Sequence, residues 1–280
     1  MVSKDVLVIG LGEIGFSNAE YMTSRGMNVD GHDINEGIIS RALKKGVIRQ
    51  KATTFHGYDF YVICVSTHNP SNMMSPQLKA LYETAYRISR EGKQGALVCI
   101  DSTVSKGTSN EVKKMLNHRL HVAHVPHRFY RGEKREHGVK QMRVLGGCEP
   151  CCTQQARLFY NELLGIPVHV VSSIEVAELS KLVENAYRFV EIAFAEELRM
   201  MCDNLNVSFS ELRAAVNTKW NIRILEALDG IGGHCLPKDS QMLLELSKTL
   251  SSATSIVEAA KAVDLRYRQH LARRFATIRD

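Results

Sequence analysis

What the chain has little of narrows its class first. It carries one tryptophan and six prolines among its 280 residues, and no apolar run approaches the ~20 residues that a bilayer-spanning helix needs. No membrane partner is expected. Met1-Val-Ser-Lys-Asp5 leads straight into a strand pattern, without the zones of a secretory leader. Seven cysteines, an odd number without a leader, point to reduced thiols and a cytoplasmic protein rather than a disulfide framework. Long blocks of one charge are missing too. The net charge of +6 is scattered, apart from Arg266, Arg268, Arg273, Arg274 and Arg279. Such a bias suits an anionic small molecule better than nucleic acid, and no nucleic-acid partner is expected. The sequence contains no internal repeat and no low-complexity tract.

What is present reads as an α/β chain with a helical second half. Hydrophobic residues make up 44% and charged residues 24%, enough for one large core or two ordinary ones. Continuous apolar runs at 4–10, 59–66 and 96–101 predict strands buried on both faces. Further strands are expected at 28–33, 120–126, 142–146 and 167–171, with helices at 12–25, 76–90 and 149–164. This order predicts a Rossmann-type, mostly parallel sheet over residues 1–172. From 173 to 280 the pattern is helical. Residues 175–206 lack Gly and Pro and carry one broad apolar stripe, which predicts a single long helix. Shorter helices are expected at 209–216 and 242–250, and Ser255-Ile-Val-Glu258 reads as a capping box opening a last helix. The stripes leave apolar surface uncovered, so this helical domain is expected to build a homodimer.

Gly10-Leu11-Gly12-Glu13-Ile14-Gly15 follows the first strand and opens a helix, and Asp33 ends the second strand. Glycines there allow a tight turn and a close backbone approach to a pyrophosphate, while the helix offers free N–H groups. Asp33 can accept from ribose hydroxyls and would repel a 2′-phosphate, which favours NAD over NADP. Two other groupings stay open on their residues alone. Cys235 stands beside His234 and near Lys238 in the run Gly230-Ile-Gly232-Gly233-His-Cys-Leu-Pro-Lys-Asp239, expected as a loop, where the cysteine is either a nucleophile or structural. Lys181 and Asn185 share a face of the long helix with Glu178 and Arg188, either as a reactive strip or as a solvated one.

The motifs GLGEIG (10–15), Asp33, VST (65–67), DSTVSKGT (101–108), RVLGG (143–147), ELSKLVENAYR (178–188) and GIGGHCLPKD (230–239) stand in an order and spacing that resemble the UDP-glucose/GDP-mannose dehydrogenase family. The resemblance covers nearly the whole chain. It implies NAD held by Gly10, Gly12, Glu13, Ile14, Gly15, Asp33, Val65, Ser66, Thr67 and Thr103. It also implies oxidation of the 6-hydroxyl of a nucleotide-sugar to a uronate through a Cys235 thiohemiacetal and thioester. Lys181 and Asn185 would hold the reacting oxygen and Asp239 would position the water or base. Thr103 would line the site, and Lys238 with the backbone of Gly232 and Gly233 would contact substrate.

The sequence departs from the family in three places. His127 and Arg131 stand where the family has carboxylates linked to the hydrolytic step, so His127 is expected either to replace that base or to leave oxidation at the aldehyde. Glu13 stands where the family often has an aromatic residue. The resemblance stops before a third α/β domain, so the expectation is a nucleotide held by fewer contacts, a smaller substrate, a surface supplied by another chain, or a chain that is a fragment. Two alternatives follow: a two-electron dehydrogenase of a smaller hydroxyacid or polyol, and a non-catalytic NAD-binding subunit. Metal ligation is not expected from His121, His124 and His127, whose spacing puts strand neighbours on opposite faces. Cys148-Glu-Pro-Cys151-Cys152 lacks a second pair to complete a zinc site. Trp220 and Tyr267 are expected to be packing residues.

Overall fold

The computed structural model describes residues 4–69, 71–129, 138–250 and 254–277. It divides into two compact units, one of residues 1–68 and 77–181, the other of residues 69–76 and 182–280.

The first unit is built on a seven-stranded sheet. Its strands are β1 (Asp5–Ile9), β2 (Asn28–His32), β3 (Phe60–Ile63), β6 (Leu97–Ile100), β7 (His121–His124), β8 (Arg143–Gly147) and β9 (Val168–Val170), in the order β2-β1-β3-β6-β7-β8-β9. All neighbours are parallel except β7 and β8. The two-residue period sorts side chains into two cores. Val6, Val8, Phe60, Val62, Leu97 and Cys99 face one side, and Leu7, Ile9, Tyr61, Ile63, Val98 and Ile100 the other. Helices α1 (Glu13–Ser24), α2 (Glu36–Lys44) and α5 (Pro150–Arg157), with the π-helical turn Leu158–Leu163, cover the first core. Helices α3 (Lys79–Glu91) and α4 (Thr108–Met115) cover the second. Each aliphatic side chain buried here contributes about 1.5–3 kcal/mol.

One buried polar cluster crosses this apolar frame. Arg143 Nη1 donates to Asp101 Oδ2 at 2.6 Å and its Nη2 to Asn18 Oδ1 at 2.8 Å. Tyr160 donates to Asp101 Oδ1 at 2.6 Å, and Asn18 Nδ2 to Asp101 Oδ2 at 2.8 Å. The cluster ties α1, β6, β8 and the π turn together beneath the carboxyl ends of the strands.

The long helix α6 spans Ile174–Leu205, and its residues from 182 onward belong to the second unit. In the second unit it is joined by α7 (Phe209–Val216), α8 (Cys235–Thr249) and α9 (Ser255–Thr277). Strand β5 (Asn72–Pro76), paired with β4 (His68–Asn69), packs on α8. The apolar stripe of α6 is split. Ala186, Phe189 and Ala193 are buried within this unit, whereas Val183, Tyr187, Phe194, Met201 and Leu205 are exposed.

Three expectations change here. The helix expected from 242 begins seven residues earlier, at Cys235; Pro237 lies in its first turn, where a missing N–H costs no hydrogen bond. The last helix is preceded by Thr254, whose carbonyl accepts from Val257 and Glu258, so Ser255 is its first residue rather than its cap. Trp220 is 93% exposed. It sits in a turn fixed by Lys219 N to Val216 O and Ile222 N to Lys219 O, which never enters the core. Tyr267 is buried as expected.

Candidate active site

In the first unit the candidate cofactor site lies at the switch point of the sheet, where β2 and β3 flank β1. Gly10 has φ +84, and a Cβ there would lie 2.6 Å from Cys64 O; a Cβ on Gly15 would lie 1.8 Å from Gly10 O. Neither position can carry a side chain. Gly12 differs: nothing stands within 4 Å of where its Cβ would be. As N-cap of α1 it leaves the first N–H groups without a side-chain cap. The turn is locked from the side by Asp33, whose Oδ2 accepts from Leu11 N at 2.7 Å and Oδ1 from Asn35 N at 2.8 Å.

A cleft of about 390 Å³ opens beside this turn, with Gly10, Gly12, Asp33, Ile34, Val65 and Ser66 among its lining. Its uncapped helix terminus suits a pyrophosphate, and the carboxylate at its rim suits a ribose. These residues fit NAD. Glu13 is exposed at the first position of α1 and Ile14 is half-buried behind it. Thr67 accepts from Gln77 N at 3.0 Å. Thr103 is half-buried in the loop after β6, next to Ser102, which donates to Val65 O at 2.7 Å. His127 is not among the lining of that cleft; it lines a narrow crevice with Ile14, Asn18, Arg128 and Arg143. Arg131 falls outside the described residues.

Glu178 takes a part that its place on the Lys181 face did not signal. Its buried carboxylate accepts from Gly107 N at 2.6 Å and Ser109 N at 2.7 Å, capping α4. Burial pushes this carboxyl above its ordinary range. Lys181 and Asn185 follow at one-turn spacing on α6, each half-buried, and Arg188 pairs with Glu191 at 3.6 Å.

In the second unit Cys235 is the exposed first residue of α8. One turn on, Lys238 and Asp239 are buried, with Nζ 2.5 Å from Asp239 Oδ1. Asn185 Nδ2 donates to Asp239 Oδ2. Both oxygens of Asp239 are thus engaged, and Lys238 turns inward, 3.6 Å from Met242 Sδ. Gly232 and Gly233 have open space around them, Gly233 with φ +73. The loop is held from α9. Asp264 Oδ1 accepts from Ile231 N at 2.8 Å, and Arg268 Nη2 donates to Ile231 O at 2.7 Å. The two are paired at 3.0 Å. Arg268 also packs where a Cβ on Gly230 would stand, and Tyr267 donates to Leu228 O at 2.7 Å. Asp264 and Arg268 were missed in the sequence, where their only signal was an acid and an arginine at i, i+4 spacing.

The histidines of β7 part company. His124 is fully buried with no partner for either ring nitrogen among the described residues, and burial pushes it down to about 3. His121 meets Cys152 instead.

Comparison with known proteins places this geometry. Residues 48–164 match the profile of the UDP-glucose/GDP-mannose dehydrogenase family, NAD binding domain, and residues 175–265 match that of its central domain. The chain belongs to the UDP-glucose/GDP-mannose dehydrogenase family. It is 30% identical over 268 residues to the UDP-N-acetyl-D-mannosamine dehydrogenase of Campylobacter jejuni, taking in 84% of this chain and 65% of that protein. It is 28% identical to the enzyme of that name from Methanococcus maripaludis, of which it spans 61% while 86% of this chain is covered. Against the NDP-N-acetyl-D-galactosaminuronic acid dehydrogenase of Ralstonia nicotianae it is 29% identical, with 97% of this chain and 73% of the relative covered. Among solved structures, a UDP-D-ManNAc dehydrogenase from Pyrococcus horikoshii aligns with a TM-score of 0.86 at 26% identity, covering 96% of this chain and 70% of that one. The 3-hydroxyisobutyrate dehydrogenase of Mycobacterium tuberculosis shares the fold, with a TM-score of 0.77 at 13% identity over 95% of this chain and 94% of that one. Family membership agrees with the expected NAD cofactor. No helix among the described residues is long and apolar enough to cross a membrane.

Proposed function

We propose that this chain oxidises the 6-hydroxyl of a nucleotide-sugar with NAD, and that an N-acetylhexosamine sugar on UDP is the first substrate class to test. One observation carries the reading: Cys235 stands exposed at the N-terminus of α8, over a buried Lys238–Asp239 pair that receives Asn185. The positive end of the helix favours an anion on that sulfur. Asp239 holds the Asn185 amide in place, and Lys181, one turn earlier on α6, supplies positive charge for the oxygen of the reacting carbon.

NAD, when bound, accepts the two electrons of each oxidation. Loss of the hydroxyl proton, and of a hydrogen on the same carbon together with its electron pair, would convert the alcohol to an aldehyde. Cys235 Sγ then forms a bond to the aldehyde carbon, giving a thiohemiacetal. Oxidation of that adduct to a thioester would need a second hydride acceptor, and water would then break the C–S bond to leave the carboxylate and the Cys235 thiol. His127, in the place of a family carboxylate, makes the final hydrolysis the step to watch. The exposed stripe of Val183, Tyr187, Phe194 and Met201 supports assembly as a homodimer.

The experiment is the yield of NADH per sugar at limiting substrate, across UDP- and GDP-sugars, with wild type and Cys235→Ala. Two NADH per sugar, lost in the variant, is the expected result. One NADH per sugar, unaffected by the substitution, overturns the thioester route in favour of a two-electron dehydrogenase. NAD binding with no reduction by any sugar overturns the catalytic reading itself.

A further inference from the structure

The start of β7 and the start of α5 bring together groups that the proposed reaction does not use. Antiparallel pairing aligns Ala123 with Gly147, and Cys148 N donates to Val122 O at 3.0 Å, so the turn from β8 into α5 lies beside His121. Glu149 precedes the first residue of α5, and Cys151 and Cys152 lie in its first turn. Cys152 Sγ is 3.6 Å from His121 Nδ1 and 3.8 Å from Glu149 Oε2. Cys151 Sγ is 3.6 Å from the same Glu149 oxygen. One ligand atom from each of His121, Cys151 and Cys152 lies within 4.8 Å of the others.

These separations have a chemical meaning. Around a tetrahedral zinc ion with Zn–S of ~2.3 Å and Zn–N or Zn–O of ~2.0–2.2 Å, the edges between ligand atoms are about 3.5–3.8 Å. The contacts of Cys152 with His121 and of both thiols with Glu149 already have that length. The mixed set of two thiols, an imidazole and a carboxylate is the donor chemistry of a thiophilic divalent cation, not of magnesium or calcium. We propose that His121, Cys151 and Cys152 form a binding site for such a cation, of the zinc class, with the Glu149 carboxylate against both thiols, fastening the first residue of β7 to the first turn of α5.

Lys113 sets the strength of the site. Its ammonium donates to Leu120 O at 2.9 Å and stands 3.2 Å from Glu149 Oε2 and 3.9 Å from Cys152 Sγ. In the metal-free protein it supplies the counter-charge, and an incoming cation has to share Glu149 with it. Cys152 is buried, while Cys151 is exposed and gives the ion its way in. The site is therefore an exchangeable one. Binding expels the thiol protons, so affinity rises with pH.

The test is titration of the full-length, reduced, chelator-treated protein with Co²⁺, followed by displacement with Zn²⁺. A near-ultraviolet thiolate-to-cobalt band with strong visible bands of a tetrahedral ion is expected, bleached by Zn²⁺. Cys151→Ser and His121→Gln should each weaken binding by about tenfold or more, with NAD binding unchanged as the sign of an intact fold. Cys235→Ser should leave the spectrum as in the wild type. Absence of the bands in the wild type overturns the proposal, as does their persistence in both Cys151→Ser and His121→Gln, or their loss in Cys235→Ser alone.

Discussion

Replacing Glu196 by Gln should make the protein more stable above neutral pH. This side chain lies on α6 in the second unit, fully buried, and neither carboxylate oxygen has a hydrogen-bond partner among the described residues. Burial, reinforced by Asp264 and opposed by Arg268, pushes its carboxyl up to about 7 from an ordinary 4.5. The folded state thus holds the proton where the unfolded chain releases it. Stability linked to this group is complete below pH ~4.5 and is lost as pH rises through 7. At 1.36 kcal/mol per pH unit, the gap amounts to roughly 3 kcal/mol by pH 8. Glutamine keeps the shape and never ionises, so Glu196→Gln should match the wild type near pH 4.5 and exceed it by roughly 2–3 kcal/mol at pH 8. A rise in Tm of roughly 5–10 °C should accompany that gain. Urea midpoints and Tm of both proteins, from pH 4.5 to 8.5, measure it. Equal midpoints at pH 8, or a gap that stays constant on acidification, would refute the reasoning.

Three further outcomes follow from contacts described above. Gly15→Ala should abolish NAD binding in a calorimetric titration, because its methyl would lie 1.8 Å from Gly10 O and must open the turn. Arg143→Met should cost about 3–5 kcal/mol in urea denaturation at pH 7, since it leaves Asp101 buried without its cation; the double variant Arg143→Met, Asp101→Asn should recover part of the loss. Arg268→Ala frees Ile231 O and should lower kcat by about tenfold while leaving the Kd of NAD unchanged. A parallel loss of NAD affinity would instead make Arg268 a general stability residue.

Much of the first unit was legible because its signals are local. Val6 to Ile9 and Leu97 to Ile100 are apolar at every position since both faces of their strands are covered, and the glycine turn declares itself by residues that no other type can replace. Legibility ended where a role depends on a partner distant in sequence. Glu178 looked like a member of the Lys181 face, yet it caps a helix that begins 70 residues earlier, at Thr108. Asp264 and Arg268 hold a loop more than 30 positions away. Cys152 meets a histidine 31 residues upstream. The start of α8 was hidden by composition: three glycines and a proline around Cys235 look like loop, although the proline sits where a helix tolerates it.

The path of β5 has a consequence for how the chain can be taken apart. Residues 69–76 belong to the second unit, though they are synthesised more than a hundred residues before the rest of it. A fragment spanning 182–280 would lack the strand that lies on α8, leaving part of that helix bare. The helical unit is then a two-piece body, and its autonomy as a fragment depends on supplying the missing peptide in trans. During translation β5 leaves the ribosome well before α8, the helix it packs on.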